Sequence, residues 1–174
     1  MGLFDLFKRF SRTPSELVDA VAAKKRDSAG AASDAGAEGA DRRIKARKPV
    51  PAGTRVLIID DSKTVVTVLK RMMRENNCVT LEAYDAETAL EIMGIEKPDV
   101  IFLDIVLPGM NGFEALRRIR RMPKMNGVPI ILMSGNESAT EQFYAERIGA
   151  NEFMKKPFSR AEVFVRLERS LGLI

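Results

Sequence analysis

The sequence predicts an α/β fold: a doubly wound, five-stranded parallel sheet with helices on both faces and an N-terminal helical or disordered extension. Three observations support this prediction. From residue 55 onward, short apolar runs of strand length alternate five times with apolar residues at helical spacing. The runs show no polar alternation, which is typical of strands buried on both faces. Parallel neighbours need crossover helices, and residues 54–174 are long enough for one core of this kind.

The first two βα units begin the predicted domain. Residues 56–59 form a β-branched run that predicts a strand. Ser62 is placed to cap the helix that follows, whose apolar residues are Val65, Val68, Leu69, Met72 and Met73. Residues 78–83 predict the second strand, and its helix is marked by Ala86, Ala89, Leu90 and Met93.

Three more units complete the pattern. The third strand is predicted at 99–103 and is followed by a helix marked by Phe113, Leu116 and Ile119. The fourth strand is predicted at 128–133, with a helix over about 137–148. A short fifth strand at 151–154 precedes a last helix marked by Val163, Leu167 and Leu171.

Composition excludes several classes of function. The chain has no His, so it cannot use a Ser-His-Asp or Cys-His site, ligate a metal through imidazole, or donate a phosphoryl group from histidine. Its single Cys78 excludes a disulfide framework and is typical of a reducing cytoplasm. No apolar run approaches the ~20 residues of a membrane span, and no signal-peptide pattern is present. We therefore predict a cytoplasmic protein.

The first 53 residues divide into two predicted segments. Residues 1–26 are predicted to be an amphipathic helical leader, with apolar residues at helical spacing: Leu3, Leu6, Phe7 and Phe10. Residues 27–53 are predicted to be a flexible linker, because positions 28–40 are almost all Ala, Gly or Ser. Residues 1–53 hold 11 Lys/Arg and 7 Asp/Glu, whereas residues 54–174 hold 17 of each. The net charge of +4 therefore lies outside the predicted domain.

The leader has three alternative interpretations. Its phenylalanines suit docking into a partner's groove, then binding at a membrane surface, then packing on the chain's own domain, in that order of preference. The basic residues of the linker lack interleaved aromatic residues, which argues against sequence-specific DNA binding. No effector domain is expected after Ile174, so the output is expected to be a protein contact or to act through the leader.

Polar residues follow four of the predicted strands at one edge of the sheet, where ligands bind in folds of this kind. They are Asp60, Asp61 and Ser62 after the first strand, Asp104 after the third, Ser134 after the fourth, and Lys155 and Lys156 after the fifth. Taken singly, each could be a helix cap, a turn residue or a solvated amine. Together, three carboxylates without His or Cys suit a hard cation such as Mg²⁺, and a Lys and a Ser suit the oxygens of a phosphoryl group.

The ordered set of motifs resembles the receiver domain of bacterial two-component response regulators. The motifs are IIDDS at 58–62, FLDIVLPGMNGFE at 102–114, MSG at 133–135 and KP at 156–157. The likeness covers essentially all of residues 54–174. Among such receivers, the chain looks like the single-domain chemotaxis and type IV pilus (twitching motility) regulators.

The resemblance implies a role for each site residue. Asp104 accepts a phosphoryl group from the phosphohistidine of a sensor histidine kinase. Mg²⁺ would be held directly by Asp61 and through a water by Asp60, with Asp104 and the backbone carbonyl of Val106 completing the metal site. Lys156 pairs with the phosphoryl group and Ser134 moves to bind it, while Phe153 turns inward as a switch. The output surface is the face of the fourth helix, fifth strand and fifth helix, which includes Glu141, Arg147, Glu152, Arg160 and Arg166.

These roles predict a signalling switch that catalyses only its own phosphoryl transfer and dephosphorylation. Self-hydrolysis is expected to be slow, because neither Val106 nor Asn136 can act as an acid or base for the attacking water. The alternative is a docking scaffold with a receiver fold that works without phosphorylation. A phosphohydrolase with an aspartate nucleophile is disfavoured, since it needs a second acid where Val106 stands.

Overall fold

The computed structural model describes residues 48–136 and 139–174. The predicted leader (1–26) and residues 27–47 of the predicted linker lie outside the described residues. None of the described helices is both long and apolar enough to cross a bilayer.

Five parallel strands form one sheet in the order β2-β1-β3-β4-β5. The strands are β1 (Arg55–Ile59), β2 (Val79–Ala83), β3 (Val100–Asp104), β4 (Ile130–Ser134) and β5 (Glu152–Lys155). The helices are α1 (Lys63–Arg74), α2 (Ala86–Ile95), α3 (Gly112–Arg120), α4 (Ala139–Arg147) and α5 (Arg160–Ser170), with a 3-10 turn at Pro123–Met125. The predicted five-stranded, doubly wound α/β fold is confirmed.

The sheet separates two layers of apolar core. Along β1, Leu57 and Ile59 face one layer and Val56 and Ile58 face the other, and all four are fully buried. This two-sided burial explains why the strands lack polar alternation. α2 and α3 contribute residues to the first layer, and α1 and α5 to the second.

Side-chain caps begin four of the helices. Ser62 Oγ accepts from the backbone N–H of Val65 (3.4 Å), as predicted. Asp85, Asn111 and Ser159 accept from the N–H three residues later, at 2.7, 3.0 and 3.1 Å. Each cap satisfies a donor that the first helical turn leaves unpaired.

Three predicted strand ends were wrong by one residue, and the error has one cause. β3 runs to Asp104, β4 to Ser134 and β5 to Lys155, each one residue beyond the predicted end. The predictions followed side-chain polarity, but the backbone of a polar residue pairs as well as any other. Asp104 pairs with Met133, and Ser134 pairs with Lys155. The sheet itself therefore holds Asp104 and Ser134 in position.

Gly112 brings the start of α3 against the end of β3. Its N–H donates to the carbonyl of Ile105 (2.9 Å). A Cβ at this position would lie 2.1 Å from the carbonyl oxygen of Asp104 and 2.8 Å from Cα of Ile105. Only glycine allows so close an approach, so this residue sets the backbone around Asp104.

Candidate phosphoacceptor and metal site

Three carboxylates meet beyond the carboxyl ends of β1 and β3. Asp60 is fully buried, Asp104 is 4% exposed, and Asp61 is exposed to solvent. One carboxylate oxygen from each lies within 4.8 Å of the other two. The structure thus brings together the three acids that were predicted from strand ends alone.

Lys156 supplies the positive charge of the site. Its Nζ lies 2.6 Å from Asp60 Oδ2 and 3.0 Å from Asp104 Oδ2, and its side chain is 19% exposed. The backbone N–H of Lys156 donates to the carbonyl of Ser134 (2.7 Å), which extends the pairing of β5 with β4 by one residue. One ammonium therefore bridges two buried carboxylates that would otherwise repel each other.

Burial dominates the electrostatics of Asp104. It raises the pKa of this carboxyl above its ordinary value, and the nearby Asp60 charge acts in the same direction. The Lys156 ammonium and the backbone N–H of Val106 oppose that rise in pKa. The Lys156 ammonium therefore offsets only part of the rise in the pKa of Asp104.

The site fits a divalent metal ion. Asp60 Oδ1 accepts from the N–H of Ser62 (2.9 Å). Asp60 Oδ2 is buried in its ion pair with Lys156, yet it accepts no well-formed hydrogen bond from any residue that the structure describes. A buried carboxylate oxygen with spare capacity, beside a solvent-facing Asp61, is a donor set that Mg²⁺ prefers.

A family model with the description "Response regulator receiver domain" matches residues 56–168, which is more than half of the chain. The chain belongs to this family. Receiver domains take phosphoryl groups from histidine kinases, bind Mg²⁺ at an acidic site and contact downstream targets; they are signalling domains rather than conventional enzymes.

Solved receiver structures match the domain over nearly their full length. The receiver domain of a sensor histidine kinase from Pseudomonas aeruginosa PAO1 is 30% identical, with a TM-score of 0.64, and the match covers 70% of this chain and 99% of that one. That structure has a magnesium ion coordinated in the active site cleft. Chemotaxis protein CheY4 of Vibrio cholerae is 26% identical, with a TM-score of 0.66 and coverage of 69% and 100%. The Francisella response regulator 1452 receiver domain is 28% identical, with a TM-score of 0.64 and coverage of 69% and 98%.

Ser134 of this receiver domain is buried and already bonded on both sides. Its hydroxyl donates to Glu141 Oε2 (2.8 Å) on α4 and accepts from the backbone N–H of Asn136 (3.0 Å). The predicted switch aromatic, Phe153, is half-buried in β5 beside Leu132 and packs on the first core layer. The side chain of Val106 is 68% exposed. The contribution of its carbonyl to a metal site stays a prediction.

The five residues predicted for the output surface make different contacts within the domain. Arg166 of α5 pairs with Glu152 of β5 (2.7 Å), so these two tie neighbouring elements together. Arg160 instead pairs with Glu75 beyond the end of α1 (2.5 Å) and lies over the ring of Phe164. Glu141 is engaged with Ser134, and Arg147 is exposed.

Sequence reasoning missed the structural role of Arg120 and the bond that Glu141 makes to Ser134. Arg120 donates through its guanidinium to the carbonyls of Gly149 (2.8 Å) and Val128 (2.7 Å) and to Asn151 Oδ1 (2.7 Å). Burial lowers the pKa of Arg120. Glu141 was predicted for the output surface, and its bond to Ser134 was not predicted. No local signal marks Arg120, because its three partners lie 8 to 31 positions away along the chain.

Proposed function

We propose that this receiver domain is a phosphorylation-dependent switch in which Asp104 accepts the phosphoryl group. The observation that carries the proposal is the buried Asp104 carboxylate, 3.0 Å from Lys156 Nζ and grouped with two further carboxylates. A carboxylate next to an ammonium and a metal-type acid pair can attack phosphorus and have the resulting charge neutralised.

The proposed transfer begins at the phosphohistidine of a sensor kinase. An Asp104 carboxylate oxygen forms a bond to phosphorus while the phosphorus–nitrogen bond of the donor breaks, and the leaving imidazole nitrogen takes a proton from solvent. The product is an aspartyl phosphate, a mixed anhydride. When bound, Mg²⁺ supplies charge neutralisation for the phosphoryl oxygens. Asp60 and Asp61 would hold the ion with Asp104 and the Val106 carbonyl.

Lys156 has two roles in this proposal. Before transfer it holds Asp104 by an ion pair, which keeps the carboxylate charged in a buried place. After transfer its ammonium is placed to pair with a phosphoryl oxygen, because the new group is attached to the carboxylate it already contacts. Loss of Lys156 should therefore uncouple labelling from the change in shape more than it should prevent labelling.

Ser134 and Phe153 form the proposed readout. The Ser134 hydroxyl has one proton, and that proton is now donated to Glu141. Bonding to a phosphoryl oxygen requires Ser134 to give up Glu141, which leaves α4 without this contact. Phe153 lies on the neighbouring strand and would turn further inward. The altered α4, β5 and α5 surface would then bind a downstream protein.

The proposal extends to the receiver subtype, the location and the role of the leader. Similarity to a chemotaxis protein supports a chemotaxis-type receiver, while the type IV pilus subtype rests only on the DDSKT and KKPFS stretches. A cytoplasmic location rests on the single Cys78 and on a kinase phosphodonor. The leader's partner or membrane docking concerns residues outside the described part of the chain.

The test is the intact mass of the full chain after incubation with acetyl phosphate, with and without Mg²⁺. We expect one phosphoryl group on the wild type only when Mg²⁺ is present, and none on Asp104→Asn. Asp99→Asn is the matched control, because Asp99 is an exposed acid at the opposite end of β3. It should label like the wild type, and the label should decay slowly with no phosphatase present.

An unlabelled but folded wild type would instead support the scaffold function. Labelling of Asp104→Asn at a single position would show that the acceptor is misassigned.

A further inference from the structure

A polar cleft of the described domain lies between α3 and α4, away from the proposed phosphoacceptor. We call it the α3–α4 cleft. Its volume is about 520 Å³, and its lining residues are Asn111, Phe113, Glu114, Arg117, Arg118, Arg121 and Tyr144. Three arginines and one acid give it a local excess of positive charge. Since residues 54–174 carry equal numbers of both signs, that excess is a concentrated feature and not a reflection of overall charge.

Aromatic contacts hold one wall of the α3–α4 cleft in place. The Tyr144 ring packs edge-on against Phe113, with centroids 5.1 Å apart. The Arg117 guanidinium lies 5.4 Å from the centre of the Tyr144 ring and donates to its hydroxyl. These two contacts with Tyr144 restrain the Arg117 side chain. It therefore loses less conformational entropy on binding an anion than an unrestrained arginine would.

The other two arginines are available to a ligand. Arg118 pairs with Glu114 one turn back on the same helix (2.7 Å), and both side chains are about half exposed. Such a surface pair contributes little stability and exchanges readily. The exposed side chain of Arg121 makes no ion pair within the part of the chain that the structure describes.

We propose that the α3–α4 cleft binds an acidic segment of a partner protein. Arg117 and Arg118 lie on α3, and Arg121 is the residue that caps its C-terminal end. The three guanidiniums therefore stand at sequence positions i, i+1 and i+4, which suits several carboxylates presented along one peptide. A nucleotide or single-stranded nucleic acid would need an open aromatic face for stacking, and Arg117 covers that of Tyr144. The net neutral domain also lacks the wider positive field that a phosphate backbone requires. This site is separate from the proposed phosphoacceptor and goes beyond the proposed switch.

The test uses the full ¹⁵N-labelled chain with two probes, poly-L-glutamate and an oligothymidine of equal charge. We expect poly-L-glutamate to shift the amides of α3 and α4 selectively, with an affinity that falls as salt is raised. The double variant Arg118→Glu/Arg121→Glu should weaken this binding by about tenfold or more. The matched control is Arg74→Glu/Arg169→Glu, which makes the same charge change on exposed arginines of α1 and α5 and should bind like the wild type.

Three results would each overturn the proposal: no amide shifts with poly-L-glutamate, equal loss of binding in the control variant, or tighter binding of oligothymidine at the same amides. The last would favour a nucleic-acid ligand. Before any probe is added, each variant should have the amide chemical shifts of the wild type at positions away from its substitutions, which would show that the fold is kept. Acetyl phosphate labelling of the double variant should match the wild type, so failure here is distinct from failure of the phosphoacceptor assignment.

Discussion

At the scale of single residues, one hydroxyl proton links the site to a helix. Ser134 can donate to only one acceptor at a time, and in this structure that acceptor is Glu141 in the first turn of α4. The phosphoryl group and Glu141 therefore compete for the same donor. A hydrogen bond to a charged acceptor contributes about 1.5–3 kcal/mol, which is enough to bias a switch appreciably.

Removing Glu141 should make the phosphorylated form easier to reach. We expect Glu141→Ala to raise the labelled fraction at a limiting acetyl phosphate concentration by about threefold to tenfold, because Ser134 is then free to turn. Intact mass gives the fraction directly. The control is Glu146→Ala, since Glu146 lies on the same helix and bonds to Gln142 instead. Equal labelling of the two variants would mean that the Ser134–Glu141 bond does not oppose phosphorylation.

At the scale of elements, the packing of α3 on β3 depends on one missing Cβ. Gly112→Ala would force a methyl group to within 2.1 Å of the Asp104 carbonyl, so the start of α3 must move. We expect it to lower the free energy of unfolding by about 2 kcal/mol or more and to reduce labelling of Asp104. Urea denaturation and intact mass measure the two effects.

A second helical glycine provides the control for that substitution. Gly94 lies in α2 with no atom within 4 Å of a built Cβ. Gly94→Ala should therefore stabilise the domain by up to about 1 kcal/mol. If the two alanine variants have the same free energy of unfolding, the close contact between Gly112 and the Asp104 carbonyl does not explain why glycine is needed there.

Strands and helices could be predicted where the pattern that marks them lies within a few neighbouring residues of the sequence. Uninterrupted apolar runs and helical spacing gave all five strands and helices, and the Ser62 cap was visible as a single polar residue before a helix. Strand ends were missed where a polar residue stays in the ladder, as at Asp104 and Ser134. The convergence of Asp60, Asp61 and Asp104 was predictable from parallel topology. The Arg120 contacts were not, because they join segments that only the folded chain brings together.

At the scale of the whole molecule, the site lowers the stability of the domain that carries it. Burial raises the pKa of Asp104, so the folded state binds a proton at this carboxyl more tightly than the unfolded state. Stability from this group is therefore present below its unfolded pKa and is lost as pH rises through the folded pKa. At neutral pH, without a divalent ion, the charged carboxylate opposes folding.

Asp104→Asn should consequently be more stable than the wild type near neutral pH in EDTA. The difference should shrink as pH falls from neutral to about 3, because the carboxyl is then protonated in the unfolded chain as well. Urea denaturation of both proteins at the two pH values measures it. Added Mg²⁺ should stabilise the wild type and not the variant, if Asp104 is a ligand. A stability difference that stays constant with pH would contradict this account.

Different hydrogen bonds are found at the two ends of α4. Just past its C-terminal end, Arg120 donates to the carbonyl of Gly149. The same guanidinium also donates to Val128 and Asn151, which lie just before β4 and β5. Near its N-terminal end, Glu141 accepts a hydrogen bond from Ser134 at the end of β4. A nine-residue helix is about 13 Å long, so the Ser134–Glu141 bond and the Arg120 contacts lie at opposite ends of α4. A change of hydrogen-bond partner at Ser134 would therefore act first on the N-terminal end of this helix.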